Sequence, residues 1–186
     1  MQRIDDESKA RSSMARRLIS WILYAKRRLK LEEILTAFAI DKDGLHYENM
    51  PTPDILLRIC VGMVVFNQAD STFGLVHTSA YEYLYTFISP ETSHFDIAQT
   101  SLRYLGLKGL ILGPCNSSKE PMARFNELKF LSYSTKHWGH HICNQDSEKR
   151  LQFLIMALLN DEKLLNAAFQ ALQFRPEFEG ALADEI

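Results

Sequence analysis

Long apolar runs are missing from this sequence. The longest, such as Leu151 to Leu159, fall far short of the roughly 20 residues a helix needs to span a bilayer. An excess of one charge is missing too: 21 lysines and arginines face 23 aspartates and glutamates, a net charge of −2. The molecule as a whole therefore has no field that would gather nucleic acid or an anionic membrane. Cysteine is scarce. Cys60, Cys115 and Cys143 are odd in number, and no two have the C-x-x-C spacing of a zinc or redox site. This fits a reducing compartment. The opening residues, Met1 to Glu7, are polar and mixed in charge and hold no apolar signal core, so a cytoplasmic location is expected. No repeat of period 20 to 50 is visible.

What is present suits a globular chain. Of 186 residues 46% are apolar, enough for one compact domain or a small domain with a helical extension. Met14, Leu18, Trp21, Ile22 and Ala25 recur at helical spacing, as do Leu31, Ile34, Leu35, Phe38 and Ala39. The basic turn Arg27-Arg28-Leu29-Lys30 separates them. A polar loop with Asp41, Asp43, Gly44 and Asn49 follows. Thr52 then suits a helix cap, Pro53 the first helical position and Asp54 the positive helix end. Ile55, Leu56, Ile59, Cys60 and Met63 supply an apolar face, and Gly62 a stop. Cys60 reads as a small core residue.

The pattern then changes to short runs rich in β-branched and aromatic residues. Met63 to Phe66 and Phe73 to His77, parted by Asn67 to Ser71, predict a β-hairpin. Ser79 and Glu82 have capping-box spacing, so a helix through Tyr81, Leu84, Tyr85 and Ile88 is expected, ending near Pro90. Helix, helix, helix, hairpin, helix is the order of a winged-helix domain with one added helix. The loop between its second and third helices is long for a DNA-reading helix-turn-helix.

The remainder predicts helices. Ile97, Ser101, Leu102 and Leu105 form one stripe. Lys108 to Met122 reads as a loop. Further stripes are Leu131, Thr135, Trp138, Ile142; then Leu151, Leu154, Ile155, Leu158, capped by Asp146 or Ser147; then Leu164, Leu165, Ala168, Leu172. The expected fold is mainly α. Residues 1–12 would be the tail of a preceding domain or a linker, 13–90 a winged-helix domain, 91–175 a helical extension, and 176–186 a linker or truncated tail.

Several segments carry a resemblance. They are Ala15 to Ile22, Leu29 to Leu35, Cys60 to Met63, Leu75 to Leu84, Ser101 to Leu105 and Tyr133 to His141. In their order and spacing they resemble fungal NACHT proteins with C-terminal ankyrin repeats, members of the STAND class of signalling ATPases. The matching region of that family is often labelled a GPI inositol-deacylase winged helix. Arg28 stands where the family usually has proline. Lys30 stands where a capping threonine is common, so the second helix is expected to start less sharply. The P-loop G-x-x-x-x-G-K-[ST] and ankyrin repeats of that family are absent from the sequence, which resembles an excised middle piece or the product of a truncated gene.

The resemblance implies a non-catalytic regulatory module. Its partners would be a NACHT nucleotide-binding domain and ankyrin-type repeats in cis, with an oligomer forming on activation and no membrane partner. The chain itself would hold no cofactor, and ADP or ATP would be met only through the neighbouring domain. His77 matches a histidine that touches the β-phosphate of ADP in that class, although Thr78 follows where aspartate is often found. An imidazole N–H suits a phosphate. The plainer alternative is a residue that merely ends a strand.

Other candidates have plain readings. Glu82 fits a capping box better than a catalytic acid. His77, Ser79 and Glu82 lie too close in sequence to converge as a triad. His137, His140, His141 and Cys143 invite a metal, with His137 and His141 sharing a helix face, but no second cluster supplies ligands and Trp138 marks the face for packing. Arg16, Arg17, Lys26, Arg27, Arg28 and Lys30 form a basic cluster that reads as a solvated edge rather than a phosphate-binding surface. The alternative function is a stand-alone winged-helix nucleic-acid binder, yet the recognition-helix segment Asp54 to Cys60 offers only Arg58 as a base. No G-x-S-x-G supports a hydrolase.

Overall fold

The computed structural model describes residues 4, 8–107, 110, 112–116 and 120–174. The first helix, α1 (Lys9–Tyr24), turns Ala15, Leu18, Ile19, Trp21 and Leu23 into the core. The chain then runs extended through Lys30 into α2 (Leu31–Phe38). This helix starts sharply, contrary to the expectation from Lys30. The reason is Glu33, two residues in, whose carboxylate accepts the Lys30 backbone N–H at 2.8 Å and grips the Arg27 guanidinium with both oxygens, at 2.7 and 2.6 Å.

The polar loop is pinned by Asp41, whose Oδ1 accepts the N–H groups of Asp43 and Gly44. A 3₁₀ turn follows over Tyr47–Asn49. Helix α3 (Pro53–Ile59) begins as its sequence dictates: Thr52 Oγ1 accepts the Ile55 N–H at 3.3 Å and Pro53 opens the first turn. Leu56, Ile59 and Cys60 are buried, but Ile55, expected on that face, is 45% exposed. The helix stops at Ile59, earlier than the stop expected at Gly62; Val61 and Gly62, at φ 50° and 80°, then reverse the chain in the left-handed region.

The hairpin forms where expected. Strands β1 (Val64–Asn67) and β2 (Thr72–Leu75) pair antiparallel, Val64 opposite Leu75 and Asn67 opposite Thr72. The wing is fastened to the helices through the stretch before α2. Lys30 bridges Thr72, and the Leu31 N–H reaches the Ser71 carbonyl at 2.7 Å.

Helix α4 (Ser79–Tyr85) follows and is shorter than the stripe to Ile88 predicts. Thr86 closes it, its hydroxyl donating to the Tyr83 carbonyl. Ser89 and Pro90 then cap and open α5 (Pro90–Leu105), with the Thr92 N–H on Ser89 Oγ at 3.2 Å. Ile97, Ser101, Leu102 and Leu105 of α5 are buried as a stripe.

The expected loop Lys108 to Met122 is only partly among the described residues, and its last part is helical: α6 (Glu120–Glu127) includes Pro121 and Met122. Helix α7 (Leu131–His137) tightens to 3₁₀ over Trp138–His141 instead of continuing to Ile142. Gly139, a poor helix former, sits at the change.

Helix α8 (Gln145–Asn160) is capped by Asn144, not by Asp146 or Ser147. Asn144 Oδ1 accepts the Ser147 N–H at 2.8 Å, and Asp146 lies in the first turn where the helix end favours an acid. Helix α9 (Glu162–Gln173) packs through Leu164, Ala167 and Ala171, while Leu165 and Leu172 face out. Ala167 and Ala171 thus take the buried positions expected of Leu165 and Leu172. The expected segment 176–186 lies outside the described residues.

One buried cluster takes in residues on both sides of Pro90. Its centre is aromatic. Trp21 of α1 lies 5.6 Å from the Phe130 ring, and Phe130 packs on Tyr133 at 5.5 Å and Tyr104 at 5.4 Å. Such rings each bury a large apolar area, so α1 is the seam on which both the hairpin and the extension rest.

Candidate functional site

His77 lies exposed just past β2, where the chain enters α4. The capping box expected there does not close. Ser79 sits inside the helix, and His77 supplies the acceptor: its Nδ1 takes the Ser79 N–H at 3.4 Å and lies 3.0 Å from Ser79 Oγ. An imidazole nitrogen that accepts carries no proton, so the ring proton of neutral His77 is on Nε2. His77 and Ser79 are thus brought together, but within one turn and at the surface, and Glu82 lies exposed on the helix beyond.

The same stretch shows apolar surface to solvent. Val76 is 54% exposed, and Val65, Tyr83, Tyr85 and Phe87 are exposed as well, with Tyr83 and Phe87 in ring contact at 4.7 Å. Tyr85 leans on Tyr24 at 5.5 Å, so the side chains of this stretch that face outward are chiefly Val76, Tyr83 and Phe87.

The other candidates separate. His137 and His141 do not share a helix face, because the 3₁₀ turn intervenes. His141 is buried, while half-buried His137 packs tilted against the Tyr133 ring at 4.8 Å. Among the described residues, no three His, Cys, Asp or Glu side chains group so as to hold a metal ion. The basic cluster is dispersed by internal pairing. Arg17 binds Asp96 at 3.0 Å and Thr100 at 2.9 Å, Arg27 binds Glu33, and Arg28 lies 4.0 Å from Asp70. A cleft of about 720 Å³ between the Asp41–Tyr47 loop, α5 and α8 has an apolar floor and a rim of mixed charge, and His77 is not among its lining residues.

Sequence reasoning missed His94, Asp96 and Tyr133. Asp96 accepts from both Arg17 and Trp21. His94 and Tyr133 meet His141. The available signal was polar residues lying on the inward side of two amphipathic stripes, where only a partner elsewhere in the fold can satisfy them.

Three helices, a two-stranded wing clasped to them and a further helix define a winged-helix protein with a helical extension. Within that class the chain belongs to the family described as the GPI inositol-deacylase, winged helix domain, whose model matches residues 1–98. No curated protein and no solved structure matches the chain. No helix among the described residues is long and apolar enough to cross a membrane.

Proposed function

We propose that this chain is a non-catalytic regulatory module of a NACHT-type signalling ATPase. Its winged-helix part docks on a nucleotide-binding domain in the ADP state and swings away on exchange for ATP. The observation that carries this reading is the outward apolar surface of the wing and α4, in the same stretch as exposed His77. A neighbouring domain seated there would bury Val76 and Tyr83. It would also bring phosphate oxygens within reach of the His77 Nε2 proton.

The extension supports a link to ankyrin-type repeats in cis. Phe153 of α8 is 82% exposed, and Phe169 and Leu172 of α9 are exposed too, which suits a helical pair on which a further helical unit stacks. A cytoplasmic setting fits this role. The family's name does not bring a hydrolase activity with it, since the sequence has no G-x-S-x-G and the Ser79–His77 contact is local to one turn.

The nucleic-acid reading has little to support it. Helix α3 is seven residues long with Arg58 as its base, and the wing tip Asn67 to Ser71 has an acid, Asp70, and no base. The test is the ADP affinity of a protein that carries this region together with its nucleotide-binding domain. His77→Ala is expected to weaken ADP and raise basal activity. Unchanged affinity with unchanged activity removes the sensor role.

A further inference from the structure

A chain of hydrogen bonds crosses the seam between α1 and the extension, and its protons can be assigned. The Lys26 backbone N–H, just past α1, donates to Tyr133 Oη at 3.1 Å. The buried Tyr133 hydroxyl still has its own proton to place, and His141 Nε2, 2.9 Å away, is the acceptor that the described residues offer it. A neutral imidazole carries one ring proton, so that of His141 is on Nδ1. This nitrogen lies 2.7 Å from His94 Nδ1, which must accept, and the His94 proton is on Nε2. With both rings neutral every link is made. A proton added to His94 Nδ1 would face the His141 Nδ1–H. One added to His141 Nε2 would force the Tyr133 proton off its acceptor.

We propose that the His94–His141 pair is a proton-sensitive latch on this seam. Neutral, it ties α5 and the 3₁₀ turn to the end of α1. Protonated, it releases the α7 side from α1 while the helices persist.

The surroundings favour the neutral form. His141 is fully buried, and burial, followed by the nearby His94, Lys26, His137 and His140, pushes it down to about 3. His94 is also lowered, first by burial and then by Lys26, against the opposing pull of Glu91. Half-buried His137 is lowered by burial and then by Arg27, His140 and Lys136; the acids that oppose these shifts are exposed Glu91 at His94 and the Arg27-bound Glu33 at His137. The Tyr24 ring covers His94 edge-on at 5.3 Å from the α1 side. Both folded-state values lie below the unfolded one, so the native chain binds fewer protons than the unfolded chain. Stability is then complete above about 6.5 and declines as pH falls toward about 3.

Two measurements on the full chain test the latch. Long-range ¹H–¹⁵N spectra at neutral pH read the tautomers directly: His141 is expected as Nδ1–H and His94 as Nε2–H, and an Nε2–H form of His141 would overturn the assignment. The second follows Trp21 emission, in a Trp138→Phe background, against far-ultraviolet ellipticity during acidification. Trp21 packs on Phe130 and Tyr133 across the seam and is expected to shift red at a higher pH than the helix signal falls. His94→Asn, which keeps an acceptor but removes the proton site, should move that transition to lower pH. Simultaneous loss of both signals, or a transition unmoved by His94→Asn, would contradict the proposal.

Discussion

Trp21 Nε1 donates to Asp96 Oδ2 at 2.8 Å, and Arg17 Nε reaches the same oxygen at 3.0 Å. One carboxylate on α5 thus satisfies an indole and a guanidinium one turn apart on α1. Arg17 Nη2 continues to Thr100, and Ser20 pairs with Ser93 at 2.7 Å, so α1 and α5 are joined by a row of polar contacts as well as by the aromatic core.

Removal of that carboxylate should be costly. Asp96→Ala strands the buried Trp21 N–H and leaves Arg17 only its Thr100 and Ala37 acceptors, and a loss of about 2 kcal/mol is expected, as for other donors left without a partner away from water. Asp96→Asn keeps an acceptor for Trp21 and should lose less. Urea unfolding of the two variants gives the comparison.

Glu33 is the second polar anchor. Its side chain is 7% exposed and holds both the start of α2 and Arg27, whose guanidinium lies 5.2 Å from the Tyr133 ring centre. The Glu33 hydrogen bonds push the Arg27 guanidinium above its ordinary value. Glu33→Ala should cost about 2 kcal/mol: the Lys30 N–H loses its acceptor, while Arg27, 37% exposed, turns partly to water. Part of the loss should vanish when Arg27→Ala is combined with it. Additive losses in the double-mutant cycle would show that the pair is not coupled.

The thiols should differ in reactivity. Burial pushes Cys60 up to about 12, so it stays a thiol through neutral and moderately alkaline pH, whereas Cys143 is exposed. A thiol reagent should modify Cys143 in the folded chain and reach Cys60 only after denaturation. Early labelling of Cys60, read by mass spectrometry, would place it outside the core.

The local signals in the sequence were dependable where one residue decides one turn. Thr52-Pro53 opens α3, Gly62 ends the reversal, and the β-branched run from Val64 forms the wing. They failed where a distant group decides. Ser79 and Glu82 have the spacing of a capping box, but the His77 ring occupies the role. Lys30 is a poor cap, yet Glu33 and Arg27 make the start of α2 firm. In α9 the stripe of Leu164, Leu165, Ala168 and Leu172 is right for Leu164, but Leu165 and Leu172 face out and Ala167 and Ala171 are buried. The His94–His141 pair was hidden because its members lie 47 residues apart. As for the candidate site, the sequence placed His77 after the hairpin, but the apolar surface beside it depends on which residues the fold leaves outside.

The most direct test of the docking account is a calorimetric titration of this chain into a NACHT nucleotide-binding domain loaded with ADP or with ATP. Tighter binding to the ADP form is expected, with the preference lost in Val76→Asp and Tyr83→Asp chains that keep their helical content. Equal binding in the two nucleotide states, or binding untouched by those substitutions, would contradict it.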